Sequence, residues 1–237
     1  MAFVSAQKSR VLVGSLDLSG YSRSFSMDST TEALDVTVIS STSKAYIAGQ
    51  TSGSFQADLI LDTDTTAGGL HAVVTTWKGT PAAITYAPSG AAALSEAFLL
   101  NGLQTSVSPS SALTGTADAS VSAVTDGPAD AGYVIDPSTA ITADTNGTSR
   151  DLTAQTTNGA VAHLHVTAFS GLTSNDITIE DSANGSTGWA TIGTFTQVTG
   201  LTSQRLTIAG TVKQYVRVVD NVTGTGSCTR TVAFARR

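Results

Sequence analysis

The chain has 237 residues, of which only 13% are charged, and its formal net charge is −6. It contains 38 Thr, 29 Ser and 22 Gly, while 41% of its residues are hydrophobic. This composition excludes a helical bundle, which needs Glu-, Lys- and Leu-rich faces. It also excludes a disordered chain, which could not bury enough apolar surface. We therefore expect a β-rich protein with surfaces covered by hydroxyl groups.

The charge balance also excludes some classes of function. No basic stripe is present to neutralise phosphates, so specific nucleic-acid binding is not expected. The single cysteine, Cys228, excludes an intramolecular disulfide. The first residues carry no secretory signal, and no apolar run reaches the length of about 18 residues that a membrane span needs. We expect a protein that is made in a cytoplasm and stays soluble until it assembles.

Period-two alternation predicts strands through the first half of the chain. The clearest run covers residues 54–61, where Phe55, Ala57 and Leu59 share one face. A second long run covers residues 114–123, with a small apolar face and a polar face. Shorter predicted strands cover residues 10–13, 15–18, 22–28, 34–39, 82–86 and 97–106.

One segment has helical periodicity instead. Leu70, Val73, Val74 and Trp77 fall at i, i+3, i+4 and i+7, which is the apolar stripe of an amphipathic helix. Asp and Thr residues before the stripe can cap the helix, and a Gly followed by a Pro can end it. These signals predict one helix over residues 65–78.

Alternation lapses between residues 126 and 146, where turn signals cluster. Residues 1–140 hold 12 acidic and 5 basic residues (net −7), whereas residues 141–237 hold 6 acidic and 7 basic residues (net +1). We therefore predict a first domain over residues 1–138, a linker over 139–150 and a second domain over 151–237. Seven short strands are predicted in this second part, at residues 151–157, 161–169, 176–181, 189–196, 204–208, 214–219 and 228–235. Their number and spacing predict an immunoglobulin-like or jelly-roll-like β-sandwich.

Several runs in the first half follow the pattern of one family in the same order. They are YSRSFSMD at 21–28, LDVTV at 34–38, KAYIAG at 44–49 and GSFQADL at 53–59. Together with the predicted helix they resemble the major tail tube protein of long-tailed, non-contractile bacteriophages, over about residues 10–125. Two positions depart from the family pattern: Ala48 stands where the family has Pro, and Ser52 stands in its Asp-Gly pair. The second half looks like the β-sandwich domains that phages append to virion proteins.

The resemblance implies a mainly β fold, with a tail-tube-type β-sandwich or barrel and one flanking helix in the first domain. It implies a structural virion protein that forms hexameric rings, which stack into the tail tube after assembly in the host cytoplasm. Its partners would be other copies of itself, the tape measure protein and other tail proteins. DNA would pass the lumen without specific binding, and no membrane, cofactor or enzyme activity is implied.

Two groups of residues are candidates for these roles. The residues expected to face the lumen are Ser26, Asp28, Gln56, Asp58, Asp118 and Ser120. They could instead be the ordinary solvent faces of strands. Residues 40–52 are too long for a hairpin turn, and Lys44, Tyr46 and Ile47 are expected to contact the next ring. The alternative is that Tyr46 and Ile47 fold back over their own sheet.

We find no motif for catalysis or metal binding. His163 and His165 are two residues apart on a predicted strand, so their side chains share a face. They have no nearby third ligand, and we interpret them as exposed strand histidines rather than a metal site.

Two other functions are compatible with the composition. Trp189 and Tyr215 could form an aromatic carbohydrate-binding or cell-surface-binding patch on the second domain, although burial in the sandwich core is the alternative. A capsid decoration protein would share the same composition.

Overall fold

The computed structural model describes residues 8–61, 77–111 and 117–237. These residues form fourteen strands and a short 3-10 turn at Leu18–Gly20. The strands are β1 (Arg10–Val13), β2 (Leu16–Asp17), β3 (Ser22–Asp35), β4 (Tyr46–Ile60), β5 (Ala82–Ala87), β6 (Glu96–Ser111), β7 (Ala117–Thr125), β8 (Asp130–Ile141), β9 (Thr145–Asn146), β10 (Arg150–Asp151), β11 (Ala160–Ser182), β12 (Ala190–Thr194), β13 (Thr202–Ile208) and β14 (Tyr215–Arg236). The prediction of a mainly β protein is confirmed.

The strands form one antiparallel sheet that folds back on itself. Its main path runs β12-β11-β14-β8-β6-β5-β1-β2. The long strand β6 belongs to two layers, because residues 96–102 pair with β8 and β5 while residues 102–111 pair with β7. β4 then pairs with β7, and β3 pairs with β4.

We use the name front sheet for β3, β4, β7 and residues 102–111 of β6. Its inner face carries the apolar half of the alternating pattern, including Phe55, Leu59 and Val121. These side chains are buried in one cluster with Val11 of β1 and Ile84 of β5. Burying each large apolar side chain stabilises the fold by about 1.5–3 kcal/mol. Because side chains alternate across a strand, the polar residues of the front sheet then lie on its outer face.

The opposite side of the β5–β6–β8 layer packs on the second half of the chain. Leu99 and Val134 lie in a cluster with Val161 of β11. β11 and β14 pair along almost their whole length, from Ala160 opposite Arg236 to Ser182 opposite Tyr215. The second half has its own larger core around this ribbon.

The helix predicted at 65–78 and the strand predicted at 34–39 differ from the described structure. Residues 65–76 of the predicted helix lie outside the described residues. Its last two residues are not helical, because Trp77 is in a bend and Lys78 forms an isolated parallel bridge with Gln104. Of the strand predicted at 34–39, only residues 34 and 35 are in a strand, because β3 ends at Asp35 and residues 36–39 lie in the connection to β4.

In the second half, four of the predicted strands are merged into the two long strands β11 and β14, whereas β10 and β12 are shorter than predicted. Residues 161–169 and 176–181 belong to the single strand β11, which continues through register shifts around Gly171. Gly171 has a φ of +76°, which is accessible to glycine at little cost. β8 occupies part of the predicted linker and pairs with both β6 and β14. The division into two domains stays a prediction.

Candidate assembly surface

The outer face of the front sheet is a polar surface that crosses four strands. Ser24 of β3, Asp58 of β4 and Ser120 of β7 lie side by side in register. The next row contains Ser26, Gln56 and Ser122. We call this surface the polar face. Because side chains alternate across a strand, it also includes Asp28 and Asp118, so the structure brings the six predicted lumen residues onto one face.

Asp58 is the centre of a hydrogen-bond network on this face. The Ser24 hydroxyl donates to Asp58 Oδ2 at 2.7 Å, and the Ser120 hydroxyl donates to Asp58 Oδ1 at 2.6 Å. These bonds, with Ser120 contributing more than Ser24, lower the pKa of Asp58 below its ordinary value. The carboxylate is therefore charged at neutral pH and ties three neighbouring strands together.

The polar face is acidic. The strands of the front sheet contain five carboxylates but only one cationic side chain, Arg23. Arg23 lies at a bulge of β3, where it forms an ion pair with Asp118 across 3.2 Å. The described part of this face thus presents carboxylates and hydroxyl groups together with the exposed side chains of Ile60 and Val124, rather than the lysines and arginines that bind phosphates.

Both edges of the front sheet are open over the described residues. In the part of the chain that the structure describes, β3 pairs with β4 alone, and residues 105–111 of β6 pair with β7 alone. Because the four strands alternate in direction, β3 and β6 run in opposite directions at the two edges. Apolar side chains flank both edges: Phe25 and Met27 are half-buried on β3, and Val107 is 40% exposed on β6.

The β3–β4 hairpin projects beyond the rest of the sheet. β4 pairs with β7 only from Gly53 onward, so residues 46–52 have β3 as their one strand partner in the described part of the chain. We use the name hairpin tip for residues 34–47. Tyr46 and Ile47 are each 53% exposed, and Lys44 is exposed. Other exposed apolar side chains of the tip are Leu34, Val36, Val38 and Ile39.

The two aromatic candidates of the second half are half-buried and have partners within the chain. The Arg217 guanidinium lies 4.3 Å from the Trp189 ring centroid, so it occupies one face of the indole. Arg217 also forms a 2.7 Å ion pair with Glu180. The Tyr215 ring lies against Gly185, where an added Cβ would come within 2.7 Å of it. Carbohydrate binding by these residues stays a prediction.

Sequence reasoning missed two buried polar groups. The interpretation of His163 and His165 as exposed is wrong, since both are 0% exposed. The β5–β6–β8 layer covers the face of β11 that carries the two histidines. The alternating pattern of β11 alone does not reveal that another layer packs on this face. Arg230 and Asp220 also form an ion pair in which both side chains are fully buried.

In the described ranges, no group of three or more His, Cys, Asp or Glu side chains is placed to hold a metal ion. A shallow polar groove of about 450 Å³ runs along residues 136–150. No helix within the described residues is long and apolar enough to cross a membrane.

No protein-family model matches the chain, and no curated protein matches it. Among solved structures, it is similar to the tail of an empty gene transfer agent particle with C6 symmetry (18% identity, TM-score 0.39, covering 50% of this chain and 92% of that one). It is also similar to the SPP1 Dit protein, a hub protein of the adsorption apparatus of phages that infect Gram-positive bacteria (13% identity, TM-score 0.35, covering 96% and 98%). These neighbours are tail and hub proteins, but TM-scores below 0.5 do not establish a shared fold or function.

Proposed function

We propose that the chain is a structural subunit of a phage tail tube, in which rings of copies stack into a conduit for DNA. The observation that carries the proposal is the front sheet, which combines an acidic, hydroxyl-rich face with two edges of opposite direction that have no strand partner among the described residues. The ring is proposed to contain six copies and to assemble with the tape measure protein and other tail proteins.

The open edges explain how a ring could close. β3 of one copy placed beside β6 of the next would continue the antiparallel alternation, because the two strands run in opposite directions. An edge strand presents unpaired N–H and C=O groups that a second chain can satisfy. The half-covered Phe25, Met27 and Val107 would be buried at the same junction. A head-to-tail contact of this kind closes into a ring when its rotation allows.

The polar face would then line the lumen. Asp28, Asp58 and Asp118 give it negative charge, which repels the phosphates of passing DNA. The hydroxyl groups of the neighbouring serines keep it hydrated without adding binding sites. Enzyme activity is not needed for this role.

Cysteine cross-linking tests the ring junction directly. Within one copy, β3 and β6 are separated by three strand spacings, about 14 Å, which is too far for a disulfide. We therefore pair Ser26→Cys with a cysteine at residue 106, 108 or 110, so that a disulfide can form only between copies. The matched control pairs Ser26→Cys with Ser122→Cys, which lies on the same face but on the interior strand β7.

The expected result is a ladder of cross-linked oligomers that ends at one ring size, together with rings or tubes in negative-stain micrographs. The control should give no ladder. Monodisperse monomers at high concentration, or equal cross-linking of the control, would overturn the proposed junction.

The hairpin tip is proposed to contact the next ring. Its exposed Tyr46 and Ile47 would be covered there, and their exposure in the single chain supports contact with another molecule over folding back. Deleting residues 42–50 tests this step. We expect a folded protein that no longer forms tubes, and a deletion variant that still polymerises would refute the contact.

A further inference from the structure

His163 and His165 lie where β11 crosses the first half of the chain. Both side chains are fully buried. Thr85 of β5 lies between them, with its Oγ1 at 3.1 Å from His163 Nδ1 and 2.7 Å from His165 Nε2. His165 Nδ1 is 2.8 Å from the carbonyl oxygen of Gly14, in the turn between β1 and β2. One chain of hydrogen bonds therefore joins β11 to β5 and to the β1–β2 turn of the first half.

The donor and acceptor roles in this hydrogen-bond chain are fixed by its Gly14 end. A carbonyl only accepts, so His165 Nδ1 must carry a proton and donate it to Gly14 O. In the neutral imidazole, Nε2 is then an acceptor, and it receives the Thr85 hydroxyl proton. Because that hydroxyl has one proton, His163 Nδ1 must donate to Thr85 Oγ1. Both histidines are therefore in the Nδ1–H tautomer.

Burial disfavours a positive charge on both rings, and it outweighs the backbone hydrogen bonds to Ile84 and Gly14 that favour the charged form. His163 Nε2 has no hydrogen-bond partner among the described residues. Arg205 of β13 lies opposite His163 in the ladder, and its partner carboxylate, Asp130 of β8, also binds Arg237.

Among the described residues, the charged side chains of the other packed elements lie on another face or are paired with each other. β14 places Ala233 and Thr231 opposite the two histidines. Of its three arginines, Arg230 and Arg236 lie opposite Val166 and Ala160, on the other face of the ribbon, and Arg217 lies opposite Glu180 at the far end of β11. β5 contributes Thr85 and the backbone. On β1 and β2, Arg10 and Asp17 bind each other.

We propose that the His163–Thr85–His165 chain is a proton-sensitive latch between the two halves of the molecule. While both imidazoles are neutral, it holds β11 against β5 and the β1–β2 turn. Proton uptake on acidification releases this contact before the rest of the fold opens.

The energetic direction follows from burial. Burial lowers the pKa of His165 to about 4, and it lowers the pKa of His163 well below the ordinary value, with His165 and Arg205 adding to the effect on His163. An opened latch would return His165 to water, where its pKa is about 6.5. Opening therefore becomes about 20-fold more favourable between pH 7 and pH 5 for His165 alone.

The first test is the tautomeric state in the intact protein. Long-range ¹H–¹⁵N spectra near neutral pH are expected to place two of the three imidazoles in the Nδ1–H form. A histidine pair in the Nε2–H form, or charged at that pH, would overturn the hydrogen-bond chain.

The second test is hydrogen exchange of the full chain at pH 7 and pH 5, corrected for the intrinsic rate. We expect exchange of residues 82–87 and 161–166 to increase about 20-fold or more relative to residues 176–182 at the other end of β11. Equal changes at both ends, or no change, would refute a local latch.

Substitutions identify the titrating groups. His165→Gln removes one of them and is expected to reduce the pH dependence of exchange at residues 82–87. The matched control is His71→Gln, which removes the third histidine of the chain and is expected to leave the dependence unchanged. A control variant that abolishes the dependence would overturn the assignment. Should His165→Gln fail to fold, the tautomer spectra and the wild-type exchange still decide the proposal.

Discussion

Replacing Asp220 with Ala tests the most deeply buried charges of the fold. Arg230 Nε donates to Asp220 Oδ1 at 2.8 Å, and Asn175 Nδ2 donates to the same oxygen at 2.9 Å. Arg230 Nη2 also contacts Asp136 Oδ2 at 3.0 Å. Desolvation lowers the pKa of Arg230, but Asp220 and Asp136 more than offset it and raise the pKa above its ordinary value. A guanidinium is not deprotonated in proteins, so Arg230 stays charged when Asp220 is removed.

The expected cost of Asp220→Ala is about 3–5 kcal/mol of unfolding free energy, which is the usual loss when one member of a buried ion pair is deleted. Asp136 remains, but it forms a single contact to Nη2. Removal of Asp220 leaves Arg230 Nε without an acceptor and Asn175 Nδ2 without its carboxylate, while the site excludes the water that could replace them.

Equilibrium urea unfolding at neutral pH measures this cost as a change in midpoint at constant slope. The matched control is Asp176→Ala, which removes a solvent-accessible carboxylate from the same strand pair, where Gln197 donates to it at 3.0 Å. We expect the control to change stability by less than about 1 kcal/mol. A double replacement, Asp220→Leu with Arg230→Met, should recover most of the loss, because apolar residues of similar volume satisfy a buried site. If Asp220→Ala and the control cost the same, the pair does not have the buried, charged character described above.

Three further outcomes follow from the structure. Phe55→Ala should lower unfolding free energy by about 3–5 kcal/mol, because a buried aromatic side chain leaves a cavity; a loss below about 1 kcal/mol in urea would contradict its place in the core. Ser24→Ala and Ser120→Ala should each raise the pKa of Asp58, with Ser120→Ala having the larger effect, as followed by carboxyl ¹³C shifts; an unchanged pKa would contradict the network. Stability should fall on acidification, because the folded-state pKa of His165, about 4, lies below its unfolded value of about 6.5. The contribution is complete at neutral pH and decreases through this window, by about 2 kcal/mol at pH 5; urea midpoints independent of pH in this range would refute it.

Much of the strand pattern of the first half could be predicted from the sequence. β1 was predicted with its observed bounds, and the alternation at residues 54–61 correctly places Phe55 and Leu59 inside. The same alternation places Gln56 on the polar face. These predictions succeed because the front sheet has one buried face and one solvent face, which is the arrangement that period-two patterning reports.

The middle of the chain and the second half resist the same reasoning for a physical reason. Turn residues suggest that β8 should not form, yet Pro137 lies within it. Proline lacks an N–H donor and is tolerated at irregular positions of a sheet, and register shifts occur nearby in the pairing of β8 with β14. At Gly171, similar irregularities bend β11 without ending it. Proline and glycine thus mark where a strand becomes irregular. Pairing with strands distant in sequence decides whether the strand continues through that point or ends in a turn.

The two polar sets of the molecule show why a shared face does not by itself define a role. Ser26, Gln56 and Ser122 alternate with apolar residues just as His163 and His165 do, and neither pattern states what lies opposite. On the front sheet nothing in the described chain covers the polar side, so its carboxylates and hydroxyls are available to other molecules. On β11 the layer containing Thr85 covers the histidines, so their chemistry is directed inward and joins the two halves. The proposed ring contact and the proposed latch therefore depend on different surfaces, and loss of one in a variant should leave the other intact.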